Sequence, residues 1–171
     1  MYWDYFKYVS KHRWLVMLEC FKMGLIWRGL LHDLSKYSPA EFRAYARWFK
    51  GPWGVKFRGI ADIKPLPGQI AWQFNKRDFE HAWLHHQHCN PHHWNFWVEI
   101  RKGGIAWAIM MPEVYAKEML ADWCAMSKAF NNNVWDWYEQ NSSNMILHPS
   151  TRERLEALIE IRRNAPKGVS K

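Results

Sequence analysis

The sequence predicts a mainly α-helical fold, with a single helical domain over residues 1–164 and a frayed tail at 165–171. The chain has 171 residues, 49% of them hydrophobic, which is enough to bury one core of ordinary size. Apolar side chains recur at helical spacing along most of the chain, and helix-capping residues separate these stretches. Only the segment near residues 97–110 has the pattern of a small β-hairpin.

Three helices are predicted in the first part of the chain, over about 3–23, 26–37 and 39–50. Gly24 ends the first of them, because glycine tolerates the left-handed backbone of a helix C-cap. Ser38 begins a capping box, with Pro39 at the first helical position and Glu41 at the third. The third helix therefore starts directly after Ser38.

Residues 51–74 are rich in proline and glycine and predict a long loop, of the kind that forms lids or binding segments. Asn75 is placed to cap a fourth helix, which carries a run of histidines. Asn90-Pro91 ends that helix, because the residue before a proline is driven out of helical geometry. A short helical turn is expected in the following HHWNFW.

The second half of the chain contains the predicted hairpin and two more helices. Two apolar runs flank Lys102-Gly103-Gly104, which is typical of a tight turn between antiparallel strands. Pro112 and Glu113 open a long helix that stops near Phe130. An aromatic-rich connection follows, and STRE at residues 150–153 caps a last helix.

The charge, the cysteines and the motifs of the sequence favour some classes of function and argue against others. A formal net charge of +8 favours anionic partners such as nucleotides, nucleic acid or a membrane surface. The three isolated cysteines are typical of reduced thiols, and Cys124, amid apolar residues, reads as structural. The sequence lacks a P-loop, a GxGxxG and a GxSxG motif, which argues against nucleotide-triphosphate switching and serine hydrolysis.

His32, Asp33 and Lys36 stand in the otherwise apolar stretch GLLHDLSK. Histidine and aspartate bind divalent metals, and a lysine one turn later can meet an anion that a metal ion attracts. The alternative is a buried pair that satisfies its own hydrogen bonds. For a bare His-Asp dipeptide, that alternative is the better explanation.

Six of the nine histidines fall within HAWLHHQHCNPHHW, which begins at His81. His81 and His85 share a helix face because they are four residues apart, and His85 and His88 are three apart. Paired imidazoles at this spacing commonly build metal sites, whereas the alternative is a polar helix face with one or two buried histidines. We expect His88 and His93 at the surface or behind the ligands.

HDLSK resembles the HDxxK signature of the HD-domain superfamily of metal-dependent phosphohydrolases. His12 lies on the preceding helix, where that superfamily places its first ligand. LADWCAMS, with Asp122, resembles the late helix that supplies the final aspartate. HHQHCNPHHW resembles the region that, in two-metal members, supplies histidines to a second ion. Those members usually have glutamate where Gln87 stands.

In combination, WRGLLHDLSKYSPAEF, AWLHHQHCNPHHWNFW and MPEVYAKEMLADWCAMSK resemble an uncharacterised family of phage and bacterial HD-like proteins. This resemblance extends from about His12 to His148 and implies a helical HD-like domain. It also implies a cytoplasmic protein of a bacterium or a phage-infected host. That location agrees with the lack of a signal peptide or of an apolar run near the ~20 residues of a membrane span, so no membrane partner is expected.

The resemblance implies one metal ion bound by His12, His32, Asp33 and Asp122. A second ion, bridged by Asp33, would take His85 together with His86 or His92. These nitrogen and carboxylate ligands suit divalent manganese, iron, cobalt or zinc. Glu118 lies one turn before Asp122, and it and His81 are expected to support the ligands from behind.

The function implied is hydrolysis of a nucleotide or another small phosphorylated substrate. A bound metal lowers the pKa of water and supplies hydroxide, and Asp33 holds that metal. Lys36, with Arg13 or Arg28, would stabilise negative charge on the phosphoryl oxygen.

Two alternatives use the same features. Some HD-domain proteins that hold two irons are oxygenases, and a set of six nitrogen and carboxylate ligands suits that chemistry. The basic, aromatic region at residues 43–58 can also stack bases and bind phosphates, which would make the chain a metal-stabilised nucleic-acid-binding module. A solvated face with its tryptophans turned inward explains that region more simply.

Overall fold

The computed structural model describes residues 1–51 and 70–164. These residues form seven α-helices and one two-stranded antiparallel sheet, so the mainly α-helical prediction is confirmed. The helices are α1 Tyr2–Lys22, α2 Ile26–Leu31, α3 Pro39–Lys50, α4 Ile70–Cys89, α5 Glu113–Ala129, α6 Val134–Asn141 and α7 Pro149–Asn164. The strands are β1 Val98–Arg101 and β2 Ile105–Ala108.

The chain divides into two compact units, each made of two separate segments. The first unit consists of Met1–Trp14 and Asp33–Asn90, and the second of Leu15–His32 and Pro91–Lys171. The predicted tail at 165–171 lies outside the described residues, as does most of the predicted loop. Within the described part, α4 begins at Ile70, before the predicted Asn75 cap.

The first unit has an aromatic core. Its buried members are Tyr5, Val9, Tyr45, Ala46, Trp48, Phe79 and Ala82. Trp48 of α3 stacks on Phe79 of α4, with ring centroids 5.1 Å apart, and Tyr45 meets the same phenyl ring edge-on. Because aromatic pairs in these geometries bury large areas, they account for the close packing of α3 along α4.

The second unit has two apolar clusters. One lies among α5, α6 and α7, with Leu120, Tyr138, Leu155 and Ile159 among its buried members. The other joins the end of α1 to α5 through Val16, Cys20, Ala121 and Ala125.

Gly24 and Gly29 both shape the second unit. Gly24 has φ +74°, which confirms it as the left-handed end of α1. Gly29 of α2 lies against α1, where an added Cβ would stand 2.8 Å from the Cys20 Cβ and 3.2 Å from the Met17 backbone. Only glycine allows this close approach.

The predicted helix over 26–37 is wrong at its centre. α2 ends at Leu31, and a short 3₁₀ helix, Leu34–Tyr37, follows. Asp33 between them has φ 53° and ψ 27°, the left-handed conformation that aspartate tolerates better than most residues. A non-glycine residue in this region carries backbone strain, and such residues cluster at functional sites.

The predicted capping box is also wrong, although α3 starts at Pro39 as expected. Ser38 is the N-cap residue but makes no side-chain capping bond. Glu41 is fully buried, and its carboxylate accepts a hydrogen bond from His86. The buried histidine therefore takes the carboxylate that the capping box would use.

The hairpin is confirmed, with Val98 paired to Ala108 and Arg101 to Ile105. The helical turn before it is confirmed as well, as a 3₁₀ helix over Trp94–Trp97. The aromatic-rich connection contains the unpredicted helix α6. Asn133 caps α6 by accepting a hydrogen bond from the Trp135 backbone at 2.8 Å.

The last helix begins at Pro149, so the predicted STRE cap lies inside it. The His148 Nδ1 accepts a hydrogen bond from the Ser150 backbone at 3.2 Å and takes the capping role. Among the described residues, none of the helices combines the length and apolar character that crossing a bilayer requires.

Candidate metal centre

In the first unit, the buried Asp33 carboxylate lies among basic side chains. The Lys36 Nζ is 2.6 Å from Oδ2, and the His12 Nε2 is 3.3 Å from the same oxygen. The His86 Nε2 is 3.3 Å from Oδ1. The left-handed backbone of Asp33 and the 3₁₀ turn that follows it bring Lys36, three residues on, back over the carboxylate.

His86 is held from both sides. Its Nδ1 donates to the Glu41 Oε2 at 2.9 Å, because a carboxylate accepts, and both side chains are fully buried. Its Nε2 faces Asp33. Burial disfavours the imidazolium form, but the charge of Asp33 and the hydrogen bonds to Asp33 and Glu41 outweigh that effect and raise the pKa of His86 above its usual value.

In the second unit, His32 and His92 lie side by side next to Glu118. The two imidazole rings are 4.4 Å apart, and all three side chains are buried. The His32 Nδ1 donates to the Glu118 Oε1 at 3.0 Å, and the His92 Nδ1 is 3.6 Å from the same oxygen. Asp122, one turn further along α5, offers a carboxylate oxygen within 4.8 Å of a ring nitrogen of His32.

Glu118 is the acidic centre of this group. Arg28 donates from Nε to the Glu118 Oε2, and its guanidinium lies 4.1 Å from the ring centroid of Tyr115. Burial alone would raise the pKa of Glu118. The hydrogen bond from His32, the nearby charges of His92 and His32 and the bond from Arg28 reverse this, so the pKa is lowered.

The donor chemistry of both units fits a transition metal. The His32, His92 and Glu118 side chains offer ligand atoms within 4.8 Å of one another. In the first unit, two imidazole nitrogens each lie 3.3 Å from an Asp33 oxygen. Buried imidazole and carboxylate groups at these separations can hold an ion such as manganese, iron, cobalt or zinc.

The sequence model of a family of unknown function, DUF5662, matches residues 1–161. The chain belongs to this family. No curated protein and no solved structure matches it. The DUF5662 description names no activity, so a function for this member has to be argued from its geometry.

The histidine-rich helix α4 of this DUF5662 protein presents its imidazoles to different surroundings. His86 is buried against Asp33, whereas His85 is 48% exposed, with its Nε2 3.8 Å from the Glu41 Oε1. His81 and His88 are exposed, the latter as predicted. His81 was predicted to support the ligands, but among the described residues it makes no hydrogen bond or ion pair with any of them.

The predicted substrate-binding cations all have acidic or aromatic partners. Lys36 contacts Asp33, and Arg28 contacts Glu118. The Arg13 guanidinium lies 5.2 Å from the ring centroid of Tyr37. Lys36 thus contacts a predicted metal ligand.

The basic region at residues 43–58 is described as far as Gly51. There Trp48 is buried in the aromatic core, whereas Arg43, Arg47 and Lys50 are exposed. This agrees with a solvated face whose tryptophan is turned inward.

The burial of Glu41 against His86 was not predicted from the sequence. In α3, Glu41, Tyr45 and Trp48 are all buried, at the four- and three-residue spacing of one helix face. A glutamate in register with two core aromatics could have been recognised by that spacing. The capping-box pattern instead predicted that Glu41 would bond to the start of its own helix.

Proposed function

We propose that this DUF5662 protein is a metal-dependent phosphohydrolase that acts on a nucleotide or another phosphoester. The supporting observation is the buried Asp33 carboxylate, with the His12 and His86 nitrogens each 3.3 Å from one of its oxygens. Two imidazoles and a carboxylate provide the mixed donor set that such metals take.

The proposed ligands form one group in each unit. His12, Asp33 and His86 belong to the first unit, and His32, His92 and Asp122 to the second. Each group would hold at most one divalent metal ion, which gives the one or two ions that the resemblance to HD-domain enzymes implies. When bound, such an ion lowers the pKa of a coordinated water toward neutrality and supplies hydroxide.

The chain's own residues supply charge and position. The Lys36 ammonium lies 2.6 Å from Asp33. Its positive charge would therefore lie next to the metal ion, where a phosphoryl oxygen would bind. Arg28 and Glu118 act on His32: the carboxylate accepts from its Nδ1, and the guanidinium balances the buried charge. Arg28 is thus a supporting residue rather than a contact to substrate in this proposal.

The experiment is metal analysis of the purified protein, followed by phosphate release from a panel of nucleotides and cyclic nucleotides with manganese or cobalt. The test variant is Asp33→Asn, because asparagine also tolerates the left-handed backbone. The matched control is Asp78→Asn, on the surface of α4, where the carboxylate pairs with Arg77 and Arg47.

We expect wild type and Asp78→Asn to hold metal and release phosphate, and Asp33→Asn to lose both. Undiminished metal content in Asp33→Asn would refute the proposal. Two irons per chain with oxygen consumption and no phosphate release would favour the oxygenase alternative. Nucleic-acid binding that weakens steeply with salt and survives Asp33→Asn, without turnover, would favour the binding-module alternative.

A further inference from the structure

We infer that Glu41 is a positioning residue that sets the tautomer and orientation of His86, and so selects His86 over its neighbour His85 as the ligand from α4. The inference rests on the proposed function, in which His86 binds metal through the nitrogen that faces Asp33. Glu41 itself would not touch the metal. Its effect would pass through the imidazole ring.

The first step is the hydrogen bond. A neutral imidazole carries one hydrogen, and a metal binds the nitrogen that lacks it. Because the Glu41 Oε2 lies 2.9 Å from the His86 Nδ1, the carboxylate holds the hydrogen on Nδ1. In the neutral ring that would bind metal, the lone pair is then on Nε2, which lies 3.3 Å from the Asp33 Oδ1. That nitrogen faces the proposed ligand carboxylate.

The second step is the surroundings of the same nitrogen. The Ser35 Oγ lies 3.2 Å from the His86 Nδ1 and could donate its hydroxyl hydrogen there if no carboxylate were present. That bond would favour the opposite tautomer, with hydrogen on Nε2 and no lone pair toward Asp33. The Asn90 side-chain nitrogen also lies 3.1 Å from the His86 Nδ1 and can only donate, so without Glu41 it too would favour the opposite tautomer. With Glu41 present, its hydrogens go to Ser35 and to the His86 carbonyl.

The third step is burial. The side chains of Glu41 and His86 are both 0% exposed, so water has no access to take over the bond. Trp83 stacks on the His86 ring at 5.9 Å, and Tyr45 meets it edge-on at 6.3 Å. The ring is therefore held in plane, and the carboxylate decides which nitrogen carries the hydrogen.

The contrast with His85 supports the selection. The Glu41 Oε1 lies 3.8 Å from the His85 Nε2, which is too long for a hydrogen bond. The His85 Nδ1 lies 3.6 Å from the sulfur of the exposed Cys89. His85 is therefore neither buried nor oriented by Glu41.

The second unit contains the same arrangement. Glu118 is buried and bonded to the Nδ1 of buried His32, just as Glu41 is bonded to the Nδ1 of His86. Carboxylate–histidine pairs of this kind orient metal-binding imidazoles in many proteins, and loss of the outer carboxylate typically costs 10- to 100-fold in metal affinity.

The experiment compares wild type, Glu41→Gln and the control Glu80→Gln. Glu80 is an exposed residue of α4 that pairs with Lys76, so its replacement removes the same charge from the same unit. One measurement is the long-range ¹H–¹⁵N NMR spectrum of the imidazoles in chelator-treated protein, with the His86 signals assigned from His86→Gln. The other is titration with Mn²⁺ or Zn²⁺ by calorimetry.

In the neutral imidazole we expect the His86 hydrogen on Nδ1 in wild type and in Glu80→Gln. We expect a shift toward Nε2 in Glu41→Gln, because the neutral amide is a weaker acceptor than a carboxylate and can also donate to Nδ1. Metal affinity should fall about 10- to 100-fold in Glu41→Gln and stay unchanged in Glu80→Gln. Combining Glu41→Gln with His86→Gln should cost little more than His86→Gln alone, because the carboxylate acts through that ring.

An unchanged tautomer and an affinity within twofold of wild type in Glu41→Gln would overturn the inference while leaving the proposed function intact. If wild type binds no metal, the proposed function fails. The NMR comparison then still decides whether Glu41 sets the tautomer of His86.

Discussion

Two buried carboxylates, one in each unit, are surrounded by basic side chains of different kinds. Asp33 in the first unit contacts Lys36 and the imidazoles of His12 and His86. Glu19 in the second unit, 2% exposed, binds the three permanent cations Lys22, Lys128 and Arg162. All three neighbours of Glu19 carry a fixed positive charge, whereas two of the three neighbours of Asp33 are imidazoles.

The difference lies in lone pairs. Charged lysine and arginine offer only hydrogens, so the Glu19 group ties α1, α5 and α7 together and has no nitrogen to give a metal. A neutral imidazole offers a nitrogen lone pair as well as a hydrogen. The identity of the basic neighbours therefore separates a candidate metal centre from a structural ion-pair network.

The largest expected effect separates the two groups by metal binding. Asp33→Asn should reduce metal affinity by about 100-fold or more, because it removes an anionic ligand. Glu19→Gln should leave affinity per folded molecule unchanged. Calorimetric titration of both variants with Mn²⁺ measures this. Equal losses of metal affinity in the two variants would show that the Asp33 group is no more a metal centre than the Glu19 group.

The next effect compares two histidines on one helix. His86→Gln should lower metal affinity at least as much as loss of its outer carboxylate, which is about 10- to 100-fold. His88→Gln, two residues away and exposed, should leave metal affinity unchanged. Chelator-treated protein titrated with Zn²⁺ provides the measurement. A greater loss from His88→Gln than from His86→Gln would show that exposure, rather than contact with Asp33, marks the ligand.

A third effect concerns stability. Glu19→Gln should lower the free energy of unfolding by about 2 kcal/mol, less than a fully buried pair would cost, because the lysines left behind reach solvent. Urea unfolding measures it. The control Glu160→Gln breaks only an exposed pair with Arg163 and should change little. Similar losses in both would mean that burial of Glu19 adds nothing.

The smallest effect is on pH dependence. Burial opposes ionisation of Glu19, but the hydrogen bonds from Lys128 and Lys22 and the charge of Arg162 outweigh it and lower the pKa below its usual value of 4.5. A lowered pKa stabilises the fold above about 4.5, and this contribution is lost as pH falls through the folded-state pKa. Stability should therefore fall less steeply with acid in Glu19→Gln. Urea midpoints between pH 6 and pH 3 test the difference, and parallel curves would contradict it.

Much of the fold could be predicted because helices and turns leave local signals. Gly24, the hairpin around Gly103 and the start of α5 at Glu113 follow from residue types within a few positions. Helix α6 was missed because its aromatic residues do not repeat in a simple apolar stripe. The break at Asp33 was missed because the apolar pattern runs on through it.

The candidate site was predictable in kind but not in detail. The composition of HDLSK and of the histidine run indicated metal-binding residue types in the right segments. Sequence spacing could not tell His85 from His86, because that choice depends on which side of α4 faces Asp33. Nor could it pair Glu41 with His86, a contact between residues 45 positions apart. Such contacts are tertiary, and local patterns do not encode them.

The tight contact at Gly29 makes the packing of the second unit sensitive to one added methyl group. A methyl group there would meet the Cys20 Cβ at 2.8 Å, so even alanine has to push α2 off α1. Arg28, the adjoining residue, would move with it and strain its bond to Glu118. Gly29→Ala should therefore lower the melting temperature of the protein without replacing any group proposed to bind metal.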